Sequence, residues 1–203
     1  MTASTWDVDI AGLPVTLPIV PIKPDFAISL LMVIDQGVAF GDHVGRALAE
    51  LVRPLDAEIV VGPATLGIPV AIETSRHLGL DMYVILQKSP KIHLGDALTQ
   101  TITSITSKGE QRLLLDRTAI PLLQGRRVLV VDDVVATGSS LSSAIALVRR
   151  AGGNVVGAGV ILTEAHDWEA VMGEDARLVI SLGHIPQFRP VAPGGWEPIP
   201  ETA

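Results

Sequence analysis

Two adjacent carboxylates, Asp132 and Asp133, follow a run of four β-favouring aliphatics, Val128, Leu129, Val130 and Val131. Beyond Val134 and Val135 stand small and hydroxyl-bearing residues, Ala136, Thr137, Gly138, Ser139 and Ser140. Leu141, Ala144, Ile145 and Val148 then fall at the i, i+3, i+4, i+7 spacing of one helical face. A buried strand, a short loop and a helix start in that order make an anion-binding device. The first N–H groups of a helix have no intrahelical partner and lie at the positive end of its dipole. Gly138 permits positive φ or close backbone approach, and the Thr and Ser hydroxyls can donate to phosphate oxygens.

The acidic pair narrows the chemistry. Two negative charges beside an anion raise its energy, so a site for phosphate alone would avoid them. Vicinal carboxylates suit a neighbour that donates hydrogen bonds, such as the 2′- and 3′-hydroxyls of a ribose, or else a divalent cation. Hydroxyls and a phosphate a few ångströms apart describe a ribose 5-phosphate.

Residues 128–140 resemble the phosphoribosyl pyrophosphate (PRPP) motif of the type I phosphoribosyltransferases, adenine phosphoribosyltransferases above all. Receiver domains of phosphorelay regulators also place paired acids after a strand, but near the domain start, and they do not need the Ala-Thr-Gly-Ser-Ser loop. The resemblance implies that Asp132 and Asp133, the catalytic pair, bind the ribose hydroxyls. It implies also that Ala136, Thr137, Gly138, Ser139 and Ser140 wrap the 5-phosphate. Mg²⁺ is expected to enter mainly bound to the pyrophosphate.

The likeness extends along the chain, with departures. Ala64, Thr65, Leu66 and Gly67 sit where the family keeps its pyrophosphate loop. Adenine enzymes usually show Glu-Ala-Arg-Gly there, so the acid and the base are missing here. Lys88 and Lys91 look like the basic start of the family's flexible loop and are expected to neutralise pyrophosphate. Thr106, Ser107, Lys108 and Gly109 replace the usual Leu-Glu-Tyr-Gly, which leaves no evident loop carboxylate for acid–base work. Base selectivity in the family comes from an N-terminal hood and from residues after the last long strand. By position, Val134, His166 and Trp168 are the expected base contacts.

The implied activity is transfer of the phosphoribosyl group to a nucleobase, a purine with adenine leading, with release of pyrophosphate. A PRPP-sensing regulator without transfer chemistry and a transferase for a non-purine acceptor are the alternatives. Regulators of this type carry a DNA-binding domain, and no basic recognition helix is evident. The family is commonly dimeric, so a homodimer is expected.

The elements that must position these residues follow from composition and periodicity. Of 203 residues, 48% are hydrophobic but only 3% aromatic, so the core should be Val, Leu, Ile and Ala, as in a parallel sheet covered by helices. The expected fold is α/β, a mainly parallel twisted sheet flanked by helices, the type I phosphoribosyltransferase fold with a small N-terminal hood. Hood strands are expected in 1–40 and a PRPP-binding core in 41–185, with a flexible loop over 87–111 that holds some strand around 98–105, and a further strand at 113–116. Residues 186–203 contain five prolines and are expected as an extended or partly disordered tail. Core strands are expected at 58–62, 82–86, 128–131, 154–162 and 177–182, and helices from 42 to about 53 and over 69–77. No apolar run approaches the ~18–20 residues of a membrane span, and no basic-then-apolar start suggests a secretory signal. Zero cysteines exclude disulfides and agree with a cytoplasmic setting. A net charge of −7 argues against nucleic-acid binding.

Overall fold

A computed structural model of the chain describes residues 4–89, 97–102, 111–192 and 194–203. Lys91 and the segment containing Thr106 to Gly109 lie outside the described residues.

The core is the expected α/β unit. Strands β4 (Ile59–Pro63), β5 (Tyr83–Leu86), β8 (Arg127–Val135), β9 (Asn154–Glu164) and β10 (Val179–Ile185) form one sheet in the order β10-β9-β8-β4-β5. All four neighbouring pairs run parallel. Such strands are covered on both faces, and the near-continuous burial of β4, β8 and β9 reflects it.

Helices α1 (Val38–Val52), α2 (Gly67–Leu78), α4 (Ser139–Arg150) and the short α3 (Ile120–Leu123) and α5 (Asp167–Met172) surround the sheet. The apolar side chains expected on the helix after the acidic pair, Leu141, Ala144, Ile145 and Val148, are all buried. They join one core layer with Val128 and Val130 of β8. On the opposite face Val44, Leu48 and Val52 of α1 pack with Leu129 and Val131. Alternation along β8 thus feeds both layers. Helix α1 begins four residues before the position expected and ends where Pro54 forces a 3₁₀ turn.

The motif strand is longer than its aliphatic run. Pairing with β9 continues through Asp132↔Val160 to Val135↔Thr163, so both acids lie on the strand itself.

A second sheet is antiparallel. Strands β1 (Thr5–Ile10), β2 (Leu13–Lys23) and β3 (Phe26–Ser29) are the expected N-terminal strands. The tail joins them: β11 (Gln187–Val191) pairs with β3 and then with β12 (Gly195–Pro198), giving the order β1-β2-β3-β11-β12. Much of 186–203 is thus extended, as one of the two expectations had it, and is paired into this sheet. Pro190 is tolerated because β3 reaches only Gln187 and Phe188, so its missing N–H is not needed on that side. Phe188 is fully buried and meets Trp6 edge to face at 5.4 Å, which fastens the segment.

The strands expected around 98–105 and at 113–116 are β6 (Leu98–Ile102) and β7 (Gln111–Leu115), which form an antiparallel ribbon. Leu113 and Leu115 are fully buried against the α4 side of the core. No helix among the described residues is long and apolar enough to cross a membrane.

Candidate functional site

The parallel strands β4, β8 and β9 all end on one side, and the loops that follow them converge there. Asp132 is 7% exposed, and its Oδ1 accepts a 3.0 Å hydrogen bond from the Asp133 amide. Burial, and then the neighbouring Asp133 carboxylate, push the Asp132 carboxyl well above the usual carboxylate range, while the Lys88 charge acts in the opposite direction. Lys88 itself is exposed. Asp133 is half-buried and so is the more accessible member of the pair.

The loop after β8 encloses a cavity of about 130 Å³ lined by Asp132, Val134, Val135, Ala136, Thr137, Gly138, Ser140 and Leu141. Gly138 caps α4 with φ +77°, a left-handed conformation. Among the described residues the amides of Thr137, Gly138 and Ser140 have no hydrogen-bond acceptor, and that of Ser139 reaches only Thr137 Oγ1 at 3.4 Å. Ser140 Oγ is buried and unpartnered. A buried polar atom with no partner costs free energy unless a ligand or water completes it. Free amides, an orphaned hydroxyl and a helix start around a small hollow fit a phosphate group.

The turn after β4 lies beside the acids. Ala64, Thr65 and Leu66 lead into α2, the Ala64–Thr65 peptide being cis. The Ala64 amide is taken by Leu86 O at 2.8 Å, whereas those of Thr65, Leu66 and Gly67 are free among the described residues. Thr65 is exposed. A Cβ on Gly67 would stand 3.2 Å from Asp132 Oδ1, which measures how closely this turn approaches the acidic pair.

A larger cleft of about 530 Å³ opens next to the loop. Its walls include Ile22, Lys23, Phe26 and Ile28 from the antiparallel sheet, Ala136, Thr137 and Ser139 from the loop, and Glu164, Asp167, Val171 and Gln187. Ala136 and Thr137 line both hollows. Glu164 is 5% exposed and accepts a 3.1 Å hydrogen bond from Gln187 Nε2. Burial pushes its carboxyl up, against the smaller opposing effect of that hydrogen bond.

The expected base contacts are placed otherwise. Trp168 is buried, its Nε1–H donates to Ala165 O at 3.0 Å, and it packs in the core layer beneath α4. It supports the loop instead: a Cβ on Gly138 would lie 2.9 Å from Trp168 O and 3.0 Å from Met172 Cγ. His166 is exposed and stacks on His184 at 5.1 Å. Neither residue lines the large cleft, and Val134 borders the small cavity. Gln187, Phe26 and Ile28, which line the cleft, carried no separate signal in the sequence. For Glu164 one was present, since it closes an aliphatic run at the carboxyl end of a parallel strand, where ligands bind.

Asp42, Glu73 and His77 on α1 and α2 are the described residues that bring three metal-capable groups together, but their partners are already internal. His77 Nε2 lies 3.0 Å from Asp42 Oδ1, and Glu73 pairs with Arg76 at 3.0 Å.

A family model described as a phosphoribosyl transferase domain matches residues 33–186. An orotate phosphoribosyltransferase of Caldanaerobacter subterraneus subsp. tengcongensis is 31% identical over 123 residues, 61% of this chain and 53% of that protein. The chain thus spans about half the length of that relative. An adenine phosphoribosyltransferase of Oenococcus oeni is 28% identical over 156 residues, 77% of this chain and 85% of that protein. Among solved structures, the adenine phosphoribosyltransferase of Thermoanaerobacter pseudethanolicus superimposes with a TM-score of 0.68 at 21% identity, covering 83% of this chain and 95% of the other. That likeness speaks for the fold.

Proposed function

Because this chain belongs to the phosphoribosyl transferase domain family, we propose that it moves the 5-phosphoribosyl group of PRPP onto a nucleobase and releases pyrophosphate. What carries this reading is the wall shared by two hollows. Ala136 and Thr137 separate a phosphate-sized cavity, floored by a buried acid and an unpartnered hydroxyl, from a cleft large enough for a heterocycle.

In this reading Asp132 and Asp133 accept hydrogen bonds from the ribose hydroxyls, and the amides and hydroxyls of residues 136–140 hold the 5-phosphate. The free amides of Thr65, Leu66 and Gly67, with Lys88, face the pyrophosphate. A ring nitrogen of the base displaces pyrophosphate from C1, and the ribose becomes cationic on the way, as in glycoside transfer. No nucleophilic side chain is needed. Rate comes from positioning and from stabilising the leaving group.

The donor set fits a metal that arrives on the substrate. Asp132 and Asp133 offer two carboxylates, and among the described residues no third ligating group joins them. Mg²⁺ there would take its other oxygens from PRPP and neutralise pyrophosphate charge. A purine, adenine first, is the proposed acceptor, as in a salvage enzyme, and the resemblance further supports a cytoplasmic homodimer.

The alternative is a PRPP sensor without transfer chemistry. It is favoured by the turn 64–67, which carries neither acid nor base and so lacks a charge-assisted grip on pyrophosphate. Incubation with PRPP, Mg²⁺ and a panel of nucleobases, following pyrophosphate release, separates the two. Release with one base supports the transferase. PRPP binding without release supports the sensor, and no PRPP binding sinks both.

A further inference from the structure

The cleft beside the phosphate loop is mostly apolar, with one polar corner. Ile22, Phe26, Ile28 and Val171 supply walls against which a planar ring can lie. At the corner, Glu164 closes β9 and Gln187 opens β11, and Gln187 Nε2 donates to Glu164 Oε1 at 3.1 Å. Three separate segments fix this pair. Glu164 is held in register with Ile185 of β10, and Gln187 with Ile28 of β3. The Gln187 amide also donates to Thr202 Oγ1 at 2.9 Å, so the C-terminal turn braces it.

We propose that Glu164 and Gln187 are the specificity-determining pair of this site, reading a neutral heterocycle through an edge that carries a hydrogen-bond donor beside an acceptor. This inference rests on the reading of the chain as a phosphoribosyltransferase. With Gln187 Nε2 committed to Glu164 Oε1, two groups remain to meet a ligand: the second carboxyl oxygen of Glu164 and Gln187 Oε1. Neither has a hydrogen-bond partner among the described residues. Burial favours the protonated carboxyl. In that form the pair offers one donor, the Glu164 hydroxyl, and one acceptor, the Gln187 carbonyl. An amidine edge, a ring nitrogen beside an amino group, is complementary to it, and so is a lactam edge.

An anionic acceptor is disfavoured at the same corner. A ligand carboxylate would leave water for mostly apolar walls and share the cleft with Asp167, with Lys23 as the one basic lining group among the described residues. Like charges drawn together in a partly dry cleft repel strongly. The chain is similar to both orotate and adenine phosphoribosyltransferases; this corner selects the neutral class.

The test uses the full chain and three variants, Glu164→Gln, Glu164→Ala and Gln187→Ala, each checked for folding by circular dichroism. PRPP affinity is measured by calorimetry, and kcat and KM by pyrophosphate release with adenine, hypoxanthine and orotate. The expected result is a parent chain that uses a neutral purine in preference to orotate. Glu164→Ala and Gln187→Ala should raise the KM for that purine by at least about tenfold, with PRPP affinity unchanged. Glu164→Gln keeps a donor and an acceptor and should restore KM to near the parent value. Should Glu164→Ala fail to fold, Gln187→Ala and Glu164→Gln carry the same comparison. An unchanged purine KM in the folded variants, or a parent chain that prefers orotate, overturns the inference and leaves the transferase standing. PRPP binding without release from any base overturns it in favour of the sensor. Absence of PRPP binding removes the functional reading and this inference together.

Discussion

Gly67 leaves no room for a side chain beside Asp132: a Cβ on Gly67 would stand 3.2 Å from Asp132 Oδ1 and 2.9 Å from the Pro63 ring. The absent side chain is what lets the turn after β4 close on the acids at the end of β8. Gly67→Ala therefore has to displace either a proline ring or the carboxylate. We expect a loss of about 1–3 kcal/mol in stability together with weaker PRPP binding, read by urea denaturation and calorimetry. A variant as stable and as tightly binding as the parent would show that this close approach is not needed.

The Asp132 carboxyl predicts a pH dependence of stability. Burial raises its folded-state pKa above the value of 3.8 expected unfolded. The folded protein therefore holds this proton to higher pH than the unfolded chain. Its contribution is fully present below the unfolded value and is lost as pH rises through the folded one. Asn keeps the shape without the titration. The Tm of Asp132→Asn should therefore gain on that of the parent as the pH rises above about 4, and a constant Tm difference would contradict the assignment.

The same residues predict the opposite effect on ligand binding. Hydrogen bonds to a charged group contribute ~1.5–3 kcal/mol each. Asp132→Asn combined with Asp133→Asn should lower PRPP affinity by roughly two orders of magnitude in a chain that still folds. Calorimetry that finds affinity intact would remove the ribose from this position.

Ser140 separates stability from binding. Its Oγ is buried without a partner, so Ser140→Ala removes an unsatisfied group and should leave Tm unchanged or raise it. If the hydroxyl serves the 5-phosphate, PRPP affinity should fall by about fivefold to tenfold. A loss of stability with binding intact would be the contrary outcome.

Gly138 should be the least replaceable residue of the loop. At φ +77° a Cβ costs about 1–2 kcal/mol for the left-handed backbone alone. It would also lie 2.9 Å from Trp168 O. We expect Gly138→Ala to abolish measurable PRPP binding and to lower Tm by more than Ser140→Ala changes it, checked by thermal melts and calorimetry.

Much of the core was legible because its signals are local. The aliphatic run 128–131, the helical spacing from Leu141 to Val148 and the small residues between them are neighbours in sequence, and each obeys the geometry of a single element. Helix α1 starts ahead of Asp42 because Phe40 already lies on the buried face with Val44 and Leu48, while Val38 at its first position is exposed. Strand β8 outran its aliphatic stretch because pairing with β9 holds Asp132 in the ladder regardless of its β propensity. Trp168 and His166 lie close to the site in sequence, yet neither lines the cleft. The conformation of α5 turns the indole toward the core, where its N–H finds Ala165 O.

From the sequence alone came the unit of strand, paired acids, hydroxyl loop and helix, because spacing and side-chain chemistry within one short segment specify it. The tertiary structure alone decided what faces the cleft. Glu164, Gln187 and Ile28 lie far apart along the chain and meet because β11 adds to β3 and β10 to β9. That meeting is the sum of many weak pairings between distant segments, and no one residue type along the chain announces it.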